Sequence, residues 1–187
     1  MYLDTDQNIN DMLLGSNEIE GVYDEKALKD ALNAWTFAYT IFESTKMVTI
    51  AMLLDTHGIL MRNIDRAIAG KERTCKVWIG GRECKAETKK SWHNKMGRYL
   101  QLWNAINMCY TNSELRKIIE DENKKNGKGI VDIIRGQHVA FEMLHPFVDG
   151  NGRIGRILYN LQRNACGLPV HILTASDRPW YYSWFKS

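Results

Sequence analysis

Proline is scarce in this chain of 187 residues: Pro146, Pro169 and Pro179 are the only three, all in the last quarter. The first 145 residues therefore carry no proline to break a helix. Long apolar runs are also missing. Met47 to Leu54 is the longest candidate, far short of the roughly 20 residues that span a bilayer. No Lys or Arg precedes Lys26, so the basic start of a signal peptide is absent. These two absences point to a cytoplasmic protein without membrane partners. The four cysteines, Cys75, Cys84, Cys109 and Cys166, show neither CxxC pairing nor zinc spacing. They are expected as reduced thiols, the one alternative being a Cys75–Cys84 bridge across a hairpin. No GxxxxGK[ST] occurs, which excludes a P-loop.

The length suits one domain, two at most. The net charge of +3 says little, but its distribution says more. Residues 1–25 hold seven acids (Asp4, Asp6, Asp11, Glu18, Glu20, Asp24 and Glu25) and no base, which leaves 25 bases against 15 acids in the remainder. An acidic N-terminal segment on a basic body suggests internal contact, an anion site, or both.

The apolar periods are mostly helical. Ala27/Leu28, Ala31/Leu32, Trp35, Ala38/Tyr39 and Phe42 recur every three to four residues, as do Met96, Tyr99/Leu100, Trp103, Ile106 and Tyr110. A third helix is expected over about Val131 to Leu144. A fourth begins near Arg153, with Ile154, Ile157/Leu158, Leu161 and Ala165 as its stripe, and ends at Gly167 and Pro169. Thr74 to Ala86 is β-prone and contains a Gly-Gly turn, which predicts a short hairpin. Glu120 to Gly129 reads as a charged link, and Trp180 to Phe185 as a last helical turn or a partner surface. The fold class is all-α, a helical bundle with one small hairpin.

The chemistry lies in His145-Pro146-Phe147-Val148-Asp149-Gly150-Asn151-Gly152-Arg153-Ile154-Gly155-Arg156. Pro146 disfavours helical geometry at His145, so the preceding helix stops there. A tight loop with Gly150 and Gly152 then feeds a helix. Unpaired N–H groups and the positive end of the helix dipole make such a junction an anion site. Arg153 and Arg156 are neighbours on that helix, on a polar stripe continued by Asn160 and Arg163. Two guanidinium forks beside the cradle favour a polyphosphate. Asp149 offers a carboxylate to Mg²⁺, which takes few protein ligands beside phosphate oxygens. His145 is the group most readily neutral at pH 7 and able to accept a proton. Gly150, Gly152 and Gly155 also match GxGxxG, but that fingerprint follows a strand and here a helix precedes it. His138 and His145 lack a third ligand for a metal site.

HPFVDGNGRIGR resembles the signature of the Fic/Doc family, His-x-Phe-x-(Asp/Glu)-Gly-Asn-(Gly/Lys)-Arg-x-x-Arg, at every specified position. The resemblance spans roughly residues 12 to 185. It implies one Fic domain over 1–187, a helical Fic fold with a hairpin flap, and transfer of AMP from ATP to a Ser, Thr or Tyr hydroxyl of a target protein. On this resemblance His145 is the general base and Asp149 the Mg²⁺ ligand. Gly150, Asn151 and Gly152 form the anion hole, Arg153 and Arg156 bind phosphate, and Phe147 anchors the loop. Gly152 is Lys in the phosphate-transferring branch, which disfavours that chemistry here.

The segment 74–86 resembles the family's flap, with Val77, Trp78, Ile79 and Gly80 docking an extended target segment by main-chain pairing. Ser16-Asn17-Glu18-Ile19-Glu20-Gly21 resembles the inhibitory pattern (Ser/Thr)-x-x-x-Glu-(Gly/Asn), within an N-terminal helix over 8–21. Ser16 and Glu20 would then hold Arg156 away from the γ-phosphate. Two alternatives stay open: removal of AMP, with Glu20 orienting water, and a nucleotide-binding interaction module with vestigial transfer. A homo-oligomer is possible; nucleic acid is disfavoured, because no helix-turn-helix follows the core.

Overall fold

The computed structural model describes residues 5–79, 82–125 and 129–185. Among them run α1 (Asp6–Ile19), α2 (Glu25–Thr45), α3 (Ile50–Met61), β1 (Val77–Ile79), β2 (Arg82–Cys84), α4 (Lys89–Thr111), α5 (Ser113–Lys125), α6 (Ile130–Leu144), α7 (Asn151–Ala165), a 3-10 turn (Ala175–Asp177) and α8 (Arg178–Ser183). The chain is mostly helical with a small two-stranded sheet, as its periodicity predicts. Side chains at the helix entrances satisfy N–H groups that would otherwise lack partners. Thr5 accepts from Asn8, Asp24 from Lys26 and Ala27, Thr49 from Met52, and Thr88 from Ser91. No described helix is long and apolar enough to cross a membrane.

The helices assemble around α7. Its Ile154, Ile157, Leu158 and Leu161 join Phe42, Trp103, Phe141 and Phe147 in the main core, where Phe42 meets Trp103 edge to face at 5.6 Å. Two buried polar staples fix the frame. Asn104 exchanges both amide hydrogen bonds with the Val48 backbone, at 2.8 and 2.9 Å. Asp30 on α2 accepts from Arg62 and Asn63 beyond the end of α3, at 2.6 and 2.7 Å.

Several expectations need correction. The polar stripe of α7 is buried at Arg153, Arg156 and Asn160. Asn160 accepts from His171 N–H at 2.7 Å, and Arg163 donates to the Pro169 carbonyl at 2.9 Å, so α1 and the C-terminal segment cover that face. Helix α7 starts at Asn151, two residues early, because Gly150 takes φ +77° and acts as its N-cap. Helix α5 occupies much of the supposed link: the Asn112 side chain accepts from Glu114 and Leu115 N–H and restarts the helix. An Arg116–Glu120 pair at 2.8 Å bridges its turns. Helix α1 covers Asp6–Ile19 rather than 8–21, with Glu20 as its C-cap and Gly21 left-handed at φ +71°. The cysteines are free, and the hairpin register pairs Cys84 with Val77, so Cys75 lies beyond the ladder.

Helices α6 and α7 approach closely at Gly155, where a Cβ would stand 2.3 Å from Glu142 Oε1. Glu142 is thereby sealed inside. Burial pushes its carboxyl up to about 8, despite the opposing pull of Arg156. The folded state thus holds this proton more tightly than the unfolded chain, whose carboxyl sits near 4.5. The contribution to stability is full below pH 4.5 and is lost as pH rises through 8. The buried His57 and His138 act in the opposite sense. Burial lowers them from 6.5 to about 4 and about 3, so their contribution is present above 6.5 and lost as pH falls through those values. Glu142→Gln removes only the first effect. Its thermal midpoint relative to wild type should climb between pH 4.5 and 8, measured by circular dichroism melts across that range.

Candidate active site

The site begins where α6 stops. His145 takes a left-handed conformation, φ +45° and ψ +64°, which strains a non-glycine residue by about 1–2 kcal/mol. Several long-range contacts hold it there. Arg73, itself buried, donates from Nε to the His145 carbonyl at 2.6 Å and from its backbone N–H to the Pro146 carbonyl at 3.0 Å. Trp92 Nε1 donates to the same Pro146 carbonyl at 2.6 Å. Arg73 Nη1 also donates to the Lys85 carbonyl at 2.7 Å, so one guanidinium joins the hairpin's base to the strained turn. His145 Nδ1 donates to the Glu142 carbonyl at 3.2 Å, which leaves the lone pair on Nε2. Burial holds its pKa below the ordinary imidazole value of 6.5. The ring is therefore neutral at pH 7 and equipped to accept a proton.

The loop that follows is closed by its own side chains. The Asn151 amide accepts from Phe147 N–H at 2.9 Å and donates to the Phe147 carbonyl at 3.0 Å. Phe147 is buried and lies flat on His57, ring centroids 3.8 Å apart and 2° from parallel. His57 Nδ1 accepts from Gly70 N–H at 3.0 Å, so Nε2 carries the proton and donates to the Asp149 carbonyl at 3.0 Å. Gly150 is required twice over. Its φ is +77°, and a Cβ there would stand 2.9 Å from Met61 Sδ.

Helix α7 starts with no side-chain cap. The N–H groups of Asn151, Gly152 and Arg153 have no acceptor within their own helix, since the first such bond runs from Ile154 to Gly150. Asn151 can thus serve an anion only through its backbone, because its side chain is committed to Phe147. Arg153 is 3% exposed, and its Nε and Nη1 lack any hydrogen-bond partner among the described residues. Buried guanidinium donors without acceptors are costly, and an anion in the cradle would satisfy them. Asp149 lies at the mouth, its side chain 62% exposed and 3.5 Å from Arg153 Nη2. No cluster of three or more metal-ligating side chains occurs among the described residues. A lone carboxylate beside a phosphate cradle suits a cation whose remaining ligands are phosphate oxygens and water.

Arg156 is bound on every side. It donates from Nε to Ser16 Oγ at 2.8 Å, and from Nη2 to the Ser16 carbonyl at 3.0 Å and Glu20 Oε1 at 2.7 Å. Its Nη1 donates to Tyr181 Oη at 3.1 Å. Glu20 lies over the first turn of α7, where a Cβ on Gly152 would be 2.3 Å from its Oε1. The expected pair Ser16 and Glu20 does meet Arg156. In the hairpin, Val77 is buried and Trp78 is 66% exposed. Ile79 pairs with Arg82 across the ladder, while Gly80 lies outside the described residues. Arg73, His57, Trp92 and Tyr181 were not anticipated; only their residue types, not their spacing, could have flagged them.

The sequence model of the Fic/DOC family matches residues 47–162. Among curated relatives, protein adenylyltransferase fic-1 of Caenorhabditis elegans is 28% identical over 138 residues, covering 73% of this chain and 23% of that protein. Protein adenylyltransferase Fic of Drosophila grimshawi is 24% identical over 139 residues, covering 74% and 25%. The chain thus spans about a quarter of the length of these relatives. The structure is similar to a Fic-domain-containing signaling protein from Bacteroides thetaiotaomicron, with a TM-score of 0.70 and 17% identity over 95% of this chain and 70% of that one. It is also similar to Fic-1 from Caenorhabditis elegans, with a TM-score of 0.65 and 18% identity over 97% and 58%.

The loop staple yields a stability test. Asn151→Ala leaves the Phe147 N–H and carbonyl unpaired inside the core and should cost about 2 kcal/mol. The expected result is a lower urea midpoint with an unchanged slope.

Proposed function

The chain belongs to the Fic/DOC family, and from that premise we propose that it is a protein adenylyltransferase, moving AMP from ATP to a Ser, Thr or Tyr hydroxyl of a target protein. The observation that carries this reading is the buried Arg153, with two donors unpartnered, beside an uncapped helix start and a neutral imidazole. The phosphates of ATP lie on the N–H groups of Asn151–Arg153 and on the two arginines, the Gly150 N–H being taken by Asp149 Oδ1 at 2.6 Å. Asp149 would hold Mg²⁺, which when bound would offset negative charge on the phosphates. The target hydroxyl gives its proton to His145 Nε2 as its oxygen bonds to the α-phosphorus. The bond from that phosphorus to the bridging oxygen breaks, and pyrophosphate leaves on the side of Arg156. The hairpin strand Val77–Ile79 offers the target a main-chain edge.

Helix α1 restrains this activity. With Ser16 and Glu20 on Arg156, its Nε and both donors of Nη2 are withheld from a γ-phosphate, and Tyr181 takes one of the two on Nη1. The Glu20 carboxylate also places negative charge where ATP is negative. ATP that enters is held with its α-phosphorus out of line, and a shift of about 1 Å costs on the order of 10²-fold in rate.

Two experiments test the reading. His145→Ala should abolish AMP incorporation from labelled ATP while nucleotide affinity stays near wild type; normal transfer would defeat the assignment. The acid limb of kcat/KM against pH should lie below 6.5, because burial lowers the folded imidazole. Glu20→Gly should raise self-modification on the order of 10²-fold, and no gain would remove the restraint while leaving the enzyme.

A further inference from the structure

The acidic first 25 residues give α1 no base in its last turn, so nothing within the helix complements the negative end of its dipole. A residue from the other end of the chain does. Arg178, the first residue of α8, donates from Nη2 to the Glu18 carbonyl at 2.9 Å and to the Ile19 carbonyl at 2.6 Å. The same segment lies against α1 further up. A Cβ on Gly15 would stand 2.1 Å from the Leu173 carbonyl oxygen, so only glycine permits this approach. Ile19, Leu173 and Tyr181 close the contact as a small apolar cluster. Tyr181 Oη then accepts from Arg156 Nη1 at 3.1 Å and lies 2.8 Å from His138 Nε2. The hydrogen bond with His138 fixes that oxygen beside Arg156.

Resting on the reading that α1 restrains the site, we propose that the segment Leu173–Tyr181 is a clamp with two separable parts. Arg178 is a positioning residue that acts only through α1, by gripping its C-terminal carbonyls and keeping Glu20 over the cradle. Tyr181 is a positioning residue for Arg156 itself. When Ser16 and Glu20 withdraw, it is the partner that remains to aim the guanidinium. Opening of the site therefore needs release of α1 from Arg178 as well as from Arg156.

The test is a cycle of variants read by self-modification with labelled ATP. Arg178→Ala should raise basal transfer on the order of tenfold, the worth of a charged hydrogen bond pair, and change nothing in the Glu20→Gly chain. Hydrogen exchange should quicken across residues 6–20 of Arg178→Ala and nowhere else. Arg178→Lys keeps the charge but reaches one carbonyl, and should fall between. Tyr181→Phe in the Glu20→Gly chain should raise the KM for ATP several-fold with kcat less affected. Unchanged basal transfer and unchanged exchange in Arg178→Ala would overturn the clamp while leaving the Glu20 restraint intact. A loss of transfer in Glu20→Gly/Arg178→Ala would make Arg178 a general support of the fold and also overturn it. No gain from Glu20→Gly itself would remove the restraint and the clamp together.

Discussion

A guanidinium stripped of water must be ringed by acceptors, and Arg156 is such a group, 2% exposed near the N-terminal end of the central helix. Its surroundings organise the molecule. Ser16 and Glu20 come from the first helix, Tyr181 from the last, and Glu142 lies buried alongside. Ser16 and Glu20 could not leave without another acceptor taking their place, since an unpaired buried cation is among the most destabilising arrangements a fold can hold. On the proposed function, phosphate is that replacement, so restraint and substrate compete for one cation. The exchange trades one anion for another and never leaves the arginine bare.

A second constraint sits at His145. Its left-handed backbone is unfavourable alone and is held by hydrogen bonds from Arg73 and Trp92 to adjoining carbonyls. Arg73 also reaches the Cys75 and Lys85 carbonyls at either side of the hairpin. His145 and the hairpin are thereby set relative to each other through one buried side chain.

Most of this site was legible in sequence because its chemistry is contiguous. His145 to Arg156 occupy one turn and one helix start, and local rules for proline, glycine and helix termini placed them. The helices with clean periods, α2, α4, α6 and α7, were legible for the same reason. Helix α3 was not, because Ile50–Met61 is apolar on nearly all sides and shows no period. Helix α5 was hidden by its charge. The burial of α7's polar face could not be read locally, since its partners His171, Ser16 and Tyr181 are brought in by tertiary packing. The same holds for His57, which reaches Asp149 from 92 residues away.

The contacts between α1 and the rest of the site span nearly the whole sequence: 140 residues separate Ser16 from Arg156, and 160 separate Glu18 from Arg178. Protein synthesis runs from the N-terminus, so α1 leaves the ribosome before the residues that hold it and seats after them. Closing so long a loop adds entropic cost that only the finished helical body repays. A nascent chain halted before residue 178 would carry the whole loop His145–Arg156 with the tail of α1 held by Arg156 but not by Arg178.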